Sequence, residues 1–499
     1  MEEKTEPSSN RFVQLVSEST LYVLGNVLRR GLSVITMPVF TRYLSTSGYG
    51  VLAIVGTVQN MLEVFYEMGT AQSSTRFYYD CKDKRERETL LGTLLIFSLA
   101  STLILTFLLF ALGDLIWRFV GKEIPFYPYM ALTIGTVFLG NLGVLPRVLF
   151  RVQNQVPRFF RLSLAQSVLT VSLSVLFVVW FALGPLGPVL ATFIVAAFFF
   201  AVYGYCLRGH VRMVFRWAIA RRALAFGLPE IPLRWGSWAL KVADRLILQH
   251  FTSLSVVAIY SVGYSVSKMP FDLVGNAVHW AIVPFFYSTA KKESEARSKE
   301  IFSRVATYNV AVLAGLALAT TLFGRELIEI LASAKYAEAV AIVPIIVAAS
   351  FLQELYYIPS KGIYLKEKTA VLPLILLVPA GLNIGLNFLL IPRFGMMGAA
   401  WATLACYAVM IVLALAISQR IYPIPYEYGR ITKVILAAGI LSAVGGIVPE
   451  ASLLARIVMK AALLLLFPLI LYLVDFFENY EIDWIRDQFA TLVHSSSKI

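Results

Sequence analysis

Charge is scarce in this 499-residue chain: Asp, Glu, Lys and Arg make up 15% of it, against about 25% in an average soluble domain. Cysteine is scarcer. Cys81, Cys206 and Cys406 are far apart and form no C-x-x-C pair, so neither a disulfide framework nor structural zinc is expected. His210, His250, His279 and His494 never reach ligand spacing, so no metal site is expected. Walker A, G-x-G-x-x-G, G-x-S-x-G and H-E-x-x-H motifs are all missing. The chain is therefore expected not to be an enzyme, to carry no cofactor and to hydrolyse no ATP. The first ten residues are acidic and polar and lack the basic n-region of a cleaved signal peptide, so the first hydrophobic segment is expected to stay as an anchor.

Apolar residues, by contrast, fill 58% of the chain. A soluble protein of that composition would expose large apolar patches, which excludes a soluble enzyme, a disordered chain and a secreted scaffold. A helical span needs about 20 mostly apolar residues to cross a ~30 Å hydrocarbon core. Fourteen segments qualify, near 19–41, 49–70, 89–112, 126–145, 162–183, 186–207, 223–250, 256–287, 301–323, 337–357, 370–391, 394–418, 431–449 and 453–477. They are helix-length, unlike the ~10-residue alternating strands of an outer-membrane barrel. The expected fold is an all-α polytopic membrane protein with 14 transmembrane helices.

The net charge of +13 would suggest nucleic acid on a soluble protein. Here 23 of the 43 Lys and Arg residues fall in even-numbered loops and six in odd-numbered loops. The positive-inside rule then makes the even loops and both termini cytoplasmic, and no nucleic-acid partner is expected.

A repeat is visible. Gly184-Pro-Leu-Gly187-Pro-Val-Leu-Ala191-Thr192 and Gly395-Met-Met-Gly398-Ala-Ala-Trp-Ala402-Thr403 share G-x-x-G-x-x-x-A-T at an offset of 211. Tyr43-Leu-Ser-Thr-Ser-Gly-Tyr aligns with His250-Phe-Thr-Ser-Leu-Ser-Val at an offset of 207, which sets Gly56 opposite Gly263. Spans 1–6 and 7–12 thus read as two parallel copies of one unit. The implied organisation is 1–210 as an N-lobe, 211–420 as a C-lobe, and 421–499 as spans 13 and 14 with a cytoplasmic tail. That tail, with Tyr480, Trp484, Ile485, Phe489 and Leu492 among polar residues, resembles an interfacial helix.

Some charges fall inside spans, where an Arg near the centre costs at least ~2.5–3.5 kcal/mol unless it faces a wet or paired interior. Arg29 and Arg30 lie mid-span 1; Arg234 and Lys241 lie in the equivalent span 7. This symmetry points to a shared cationic, substrate-binding cavity. The alternative is structural pairing with Glu63, Glu67, Glu230 or Asp272. Glu63 and Glu67 share one face of span 2 at i, i+4; with Asp272 they are candidates for ion coupling or simple counter-ions. Asn383 and Asn387, also i, i+4, lie beside Thr403. Their oxygens suit a hard monovalent cation, or alternatively helix–helix hydrogen bonds.

Several segments then resemble a known family. Gly227-Leu-Pro-Glu-Ile-Pro, Ala243-Asp-Arg-Leu-Ile-Leu-Gln and Ala258-Ile-Tyr-Ser-Val-Gly-Tyr-Ser look like the middle signature of polysaccharide-transport flippases. These belong to the multidrug/oligosaccharidyl-lipid/polysaccharide exporter superfamily. The loop Tyr43 to Val51 and the run 395–403 are similar to that family's first loop and span 12. The resemblance covers about 10–480. It implies two pseudo-symmetric six-helix lobes around a central cavity plus two extra C-terminal helices. It further implies translocation of undecaprenyl-pyrophosphate-linked oligosaccharide across the bacterial cytoplasmic membrane by alternating access, coupled to Na+ or H+. Partners would be the lipid-linked substrate, the bilayer, a polysaccharide polymerase and other glycan-assembly proteins. Asn383, Asn387 and Thr403 loosely match a sodium site of the related peptidoglycan-precursor group. A cation-coupled multidrug exporter and a non-transporting glycan-assembly scaffold are the competing readings.

Overall fold

The computed structural model describes residues 35–121, 123–447, 452–478 and 481. Arg29 and Arg30, most of the first expected span and nearly all of the expected interfacial tail lie outside them. No strand occurs among the described residues. Among the described residues, ten helical stretches are long and apolar enough to cross a membrane. Their flanks are greasy: Phe107 is 72% exposed and Leu465 is 73% exposed. Such a surface is stable only against hydrocarbon. The fold is an all-α polytopic membrane protein, and its arrangement is consistent with fourteen spans.

Helices begin where a side chain can satisfy the first free N–H groups. Ser45 Oγ accepts from Gly48 N at 3.0 Å and opens the Thr46–Glu67 helix. Asp83 accepts from Glu86 N at 2.7 Å, while the Glu86 carboxylate accepts from Lys82 N at 2.8 Å, and together they start Lys84–Val120. Span 7 is broken rather than continuous: Trp217–Gly227, Glu230–Trp238, a π-turn at Ala239–Ala243, then Asp244–Phe251. Pro229 and Pro232 supply no backbone N–H there.

The stretch Thr369–Ile421 is 53 residues long. Straight, it would extend roughly 80 Å at 1.5 Å per residue, far beyond a bilayer core. It doubles back instead. Gly395 sits at φ 54°, ψ −132°, and a Cβ on Gly398 would lie 2.5 Å from the Leu390 carbonyl oxygen. The two expected spans, 370–391 and 394–418, are the arms of this hairpin.

The first repeat copy has the same construction. Gly184 has φ +57°, and a Cβ on Gly187 would lie 3.1 Å from Phe177 Cβ. Ala191 and Ala402 are both fully buried. Thr192 Oγ1 donates to Pro188 O at 2.7 Å and Thr403 Oγ1 to Ala399 O at 2.9 Å. Each letter shared by the two copies thus has one physical job, done twice. Gly184→Ala meets open space and should cost about 1–2 kcal/mol of left-handed strain. Gly398→Ala pushes against backbone and should reach the top of the ~1–3 kcal/mol overpacking range. Thermal unfolding in detergent should therefore rank Gly398→Ala below Gly184→Ala; the reverse order would contradict the hairpin packing.

The chain separates into two compact units. Among the described residues, the first takes in those up to Ser265 together with Ile328–Ile342 and Leu372–Cys406; the second takes in Val266–Leu327, Val343–Val371 and those from Tyr407 onward. In the first, the starts of Thr46–Glu67 and Leu254–Lys292 meet, with Thr46 Oγ1 3.1 Å from Ser255 Oγ. In the second, Val310, Leu318 and Leu322 pack against Val434, Leu441 and Phe467, which joins Glu295–Leu322 to the last two helices, Tyr428–Gly445 and Leu453–Leu473.

Candidate functional site

The first unit contains a polar track of three adjoining chambers, of about 700, 320 and 200 Å³. One face of Thr46–Glu67 lines all of it. Tyr49, Leu52, Ala53 and Gly56 border the 320 Å³ chamber, Gln59 and Glu63 the smallest, and Glu67 the largest. These positions recur at helical spacing. From Tyr49 to Glu67 the helix rises about 27 Å, close to the thickness of a hydrocarbon core. Thr192, the threonine of the first repeat, borders every one of the three chambers.

Charge is concentrated at the Glu67 end. Arg147 and Arg151 enter the largest chamber from the Val144–Val152 helix. Arg147 Nε donates to Gly143 O at 2.9 Å, and its guanidinium lies 5.9 Å from the Tyr203 ring centroid. These contacts fix the plane of its fork. Arg234 reaches Glu67 at 2.6 Å. Glu63 accepts from Gln59 Nε2 at 3.1 Å. The walls between are hydroxyl- and amide-rich: Ser163, Gln166, Thr170 and Ser174. Arginines set i, i+4 on one helix and lining one cavity suit a phosphate or carboxylate bidentately.

The other end is built around Asp244 and Arg245, both buried. Arg245 Nη1 lies 3.1 Å from Asp244 Oδ1 and donates to Lys241 O at 2.9 Å. Its guanidinium stacks 4.6 Å from the Tyr264 ring centroid. Tyr260 Oη donates to Asp244 Oδ2 at 2.5 Å. Asp244 begins the helical segment that follows the π-turn, and such turns are frequent at functional sites.

The residues anticipated from sequence divide as follows. Arg234, Glu63 and Glu67 gather on or beside the track. Lys241 is exposed in the π-turn and is not among the residues lining the three chambers. Asp272 belongs to the second unit, 3.5 Å from Lys268 Nζ, which also donates to Gln353 Oε1 at 2.8 Å. Asn383, Asn387 and Thr403 are buried in the first unit. Asn387 Nδ2 donates to Asn383 Oδ1 at 2.9 Å, while Thr403 bonds its own helix. By hydropathy Arg147 and Arg151 fall between the spans 126–145 and 162–183, among the cations of the even-numbered loops. The helix instead runs on to Val152, and the i, i+4 spacing of the pair was the signal that they share a face.

These features define a multi-span membrane protein with a charged, polar-lined track inside its first unit. The chain belongs to the polysaccharide biosynthesis protein family, whose pattern it matches over residues 15–290. A curated relative, an uncharacterized membrane protein of Methanocaldococcus jannaschii, is 24% identical over 237 residues. That alignment covers 45% of each chain, so the match spans less than half the length of that relative. Among solved structures, lipid II flippase MurJ in an inward closed conformation gives a TM-score of 0.71 at 15% identity, covering 92% of this chain and 99% of that one. An inward-facing multidrug resistance MATE transporter of the MOP superfamily gives 0.58 at 13% identity, over 81% and 95%. The MATE multidrug transporter DinF-BH gives 0.58 at 17%, over 84% and 98%. The likeness at these identities is one of fold, which the chain shares with this flippase and these transporters.

Proposed function

We propose that this protein is a flippase that carries oligosaccharide linked to undecaprenyl pyrophosphate, or a like polyprenyl pyrophosphate, across the cytoplasmic membrane by alternating access. It acts as a transporter rather than an enzyme. The observation that carries the reading is the pair Arg147 and Arg151, held open to a 700 Å³ membrane-embedded cavity. A diphosphate is the group for which two such forks are built. The family match and the fold shared with a lipid II flippase support it. A multidrug exporter would want an acidic cavity to attract cationic drugs. Here Glu67 is already neutralised by Arg234, and the described charged residues lining the largest chamber are Glu67, Arg147 and Arg151. In this reading both termini face the cytoplasm, an ion gradient drives the cycle, and a glycan polymerase takes the product.

Deleting the gene should leave lipid-linked repeat units on the cytoplasmic leaflet and deplete surface polysaccharide; Arg234→Ala should do so in part. Unchanged lipid intermediates and unchanged surface glycan in the deletion strain would refute the reading.

A further inference from the structure

The 320 Å³ chamber differs in chemistry from the one that holds Arg147. Among its described lining residues the only charged group is Arg245, and that guanidinium is already paired with Asp244 at 3.1 Å. The described lining therefore offers no free charge. It offers hydrogen-bonding groups instead: the Ser261 hydroxyl, and the oxygens of Gln59, Thr133 and Thr136, which remain acceptors while Gln59 Nε2 donates to Glu63 and the two threonine hydroxyls to Tyr129 O and Leu132 O, all beside the ring of Tyr49. Ser261 is 5% exposed, yet its hydroxyl has no hydrogen-bond partner. Gly56 opens onto the same space, and a Cβ added there would meet nothing within 4 Å. The Tyr49 ring is steadied edge-on by Tyr336, at 5.8 Å between centroids.

We propose that this chamber is a sugar-reading subsite that takes an uncharged pyranose ring of the glycan headgroup. The proposal rests on the flippase reading and adds a polarity to it. A pyranose presents apolar ring faces and a rim of hydroxyls. An aromatic wall with fixed hydroxyl and amide partners matches it, and a volume at the low end of the ~300–1,000 Å³ range of small-molecule sites suits one sugar unit. A diphosphate gains little from a described lining whose one arginine is already neutralised. Gly56 lies 11 residues from Glu67 on the helix, or about 16 Å. The diphosphate thus stays at Arg147 while sugars beyond it reach the Gly56 chamber. A site built to hydrogen-bond particular hydroxyls rejects glycans that lack them, so this chamber sets which repeat unit is carried.

The test uses the full-length protein in nanodiscs, with free glucose, galactose and N-acetylglucosamine as neutral probes and farnesyl pyrophosphate as the diphosphate probe. Saturation-transfer NMR should show at least one neutral sugar bound to the wild type and not displaced by farnesyl pyrophosphate. A Cβ at Gly56 meets nothing within 4 Å, so Gly56→Leu puts its side chain into the chamber and improves helix propensity. It should weaken that sugar at least tenfold while leaving farnesyl pyrophosphate affinity within twofold. Gly56→Ala should give a smaller loss in the same direction, and Ser261→Ala a loss of several-fold. Sugar binding equal to wild type in folded Gly56→Leu would overturn the proposal, as would a wild type that binds farnesyl pyrophosphate but no neutral sugar. In both cases the flippase reading would stand. Failure of farnesyl pyrophosphate to bind the wild type, or its full retention by Arg147→Ala, would instead count against the flippase reading itself.

Discussion

Arg147→Glu should reduce glycan export to the level of the deletion strain, and Arg147→Ala should reduce it by about 10- to 100-fold. The second figure follows from losing one charge-assisted contact, worth about 1.5–3 kcal/mol, at about 1.4 kcal/mol per factor of ten. Reversal does more, because it sets a carboxylate beside Glu67 in the same chamber and repels a diphosphate. Arg147→Lys keeps the charge but loses the planar fork, so it should fall between wild type and alanine. Arg147 also holds Gly143 O and stacks on Tyr203, so each variant needs its unfolding transition measured beside its export. Export equal to wild type in a folded Arg147→Glu protein would remove the arginine from the transport route.

Lys460→Met should destabilise the second unit by about 3–5 kcal/mol, the cost of stranding a buried charge. Lys460 Nζ lies 2.7 Å from both carboxylate oxygens of Glu326, and the two side chains are 9% and 5% exposed. Arg456 Nε stays 3.9 Å from the same carboxylate, so the loss should lie toward the lower end of that range. Combining Glu326→Gln with Lys460→Met removes both charges and should restore most of the loss, since a buried pair is often neutral relative to well-packed uncharged groups. A double-mutant cycle on detergent unfolding reads the coupling. Single and double variants of equal stability would mean that the pair does not hold Gly324–Leu331 to Leu453–Leu473.

What the sequence disclosed depended on how local each signal was. Hydropathy placed the spans because length and apolarity are one-dimensional properties. The two G-x-x-G-x-x-x-A-T junctions were legible because Gly184 and Gly395 meet a backbone demand that few other residues satisfy. The weaker alignment of Gly56 with Gly263 was legible as a pattern but not as a role. Gly56 faces a cavity, whereas a Cβ on Gly263 would lie 2.8 Å from Ile342, so the two copies have diverged there. Arg147 was hidden by a hydropathy window that ended two residues too soon. The Asp244–Arg245 pairing was hidden because adjacent residues on a helix point in different directions. Only the third partner, Tyr260, on the following helix, closes that cluster. Glu326 and Lys460 stand 134 residues apart, and no spacing rule connects them. Buried charge in a membrane protein is visible as a cost in sequence, but its compensation is a tertiary fact.

The decisive measurement places the purified chain in proteoliposomes with a fluorescent polyprenyl-pyrophosphate oligosaccharide and follows dithionite quenching of the label. Flippase activity predicts that label from the inner leaflet becomes accessible far faster than in empty liposomes, and that Arg147→Glu brings the rate back to the empty-liposome value. A wild-type rate no faster than empty liposomes under an imposed Na+ or H+ gradient, or an unchanged rate in folded Arg147→Glu, would contradict it.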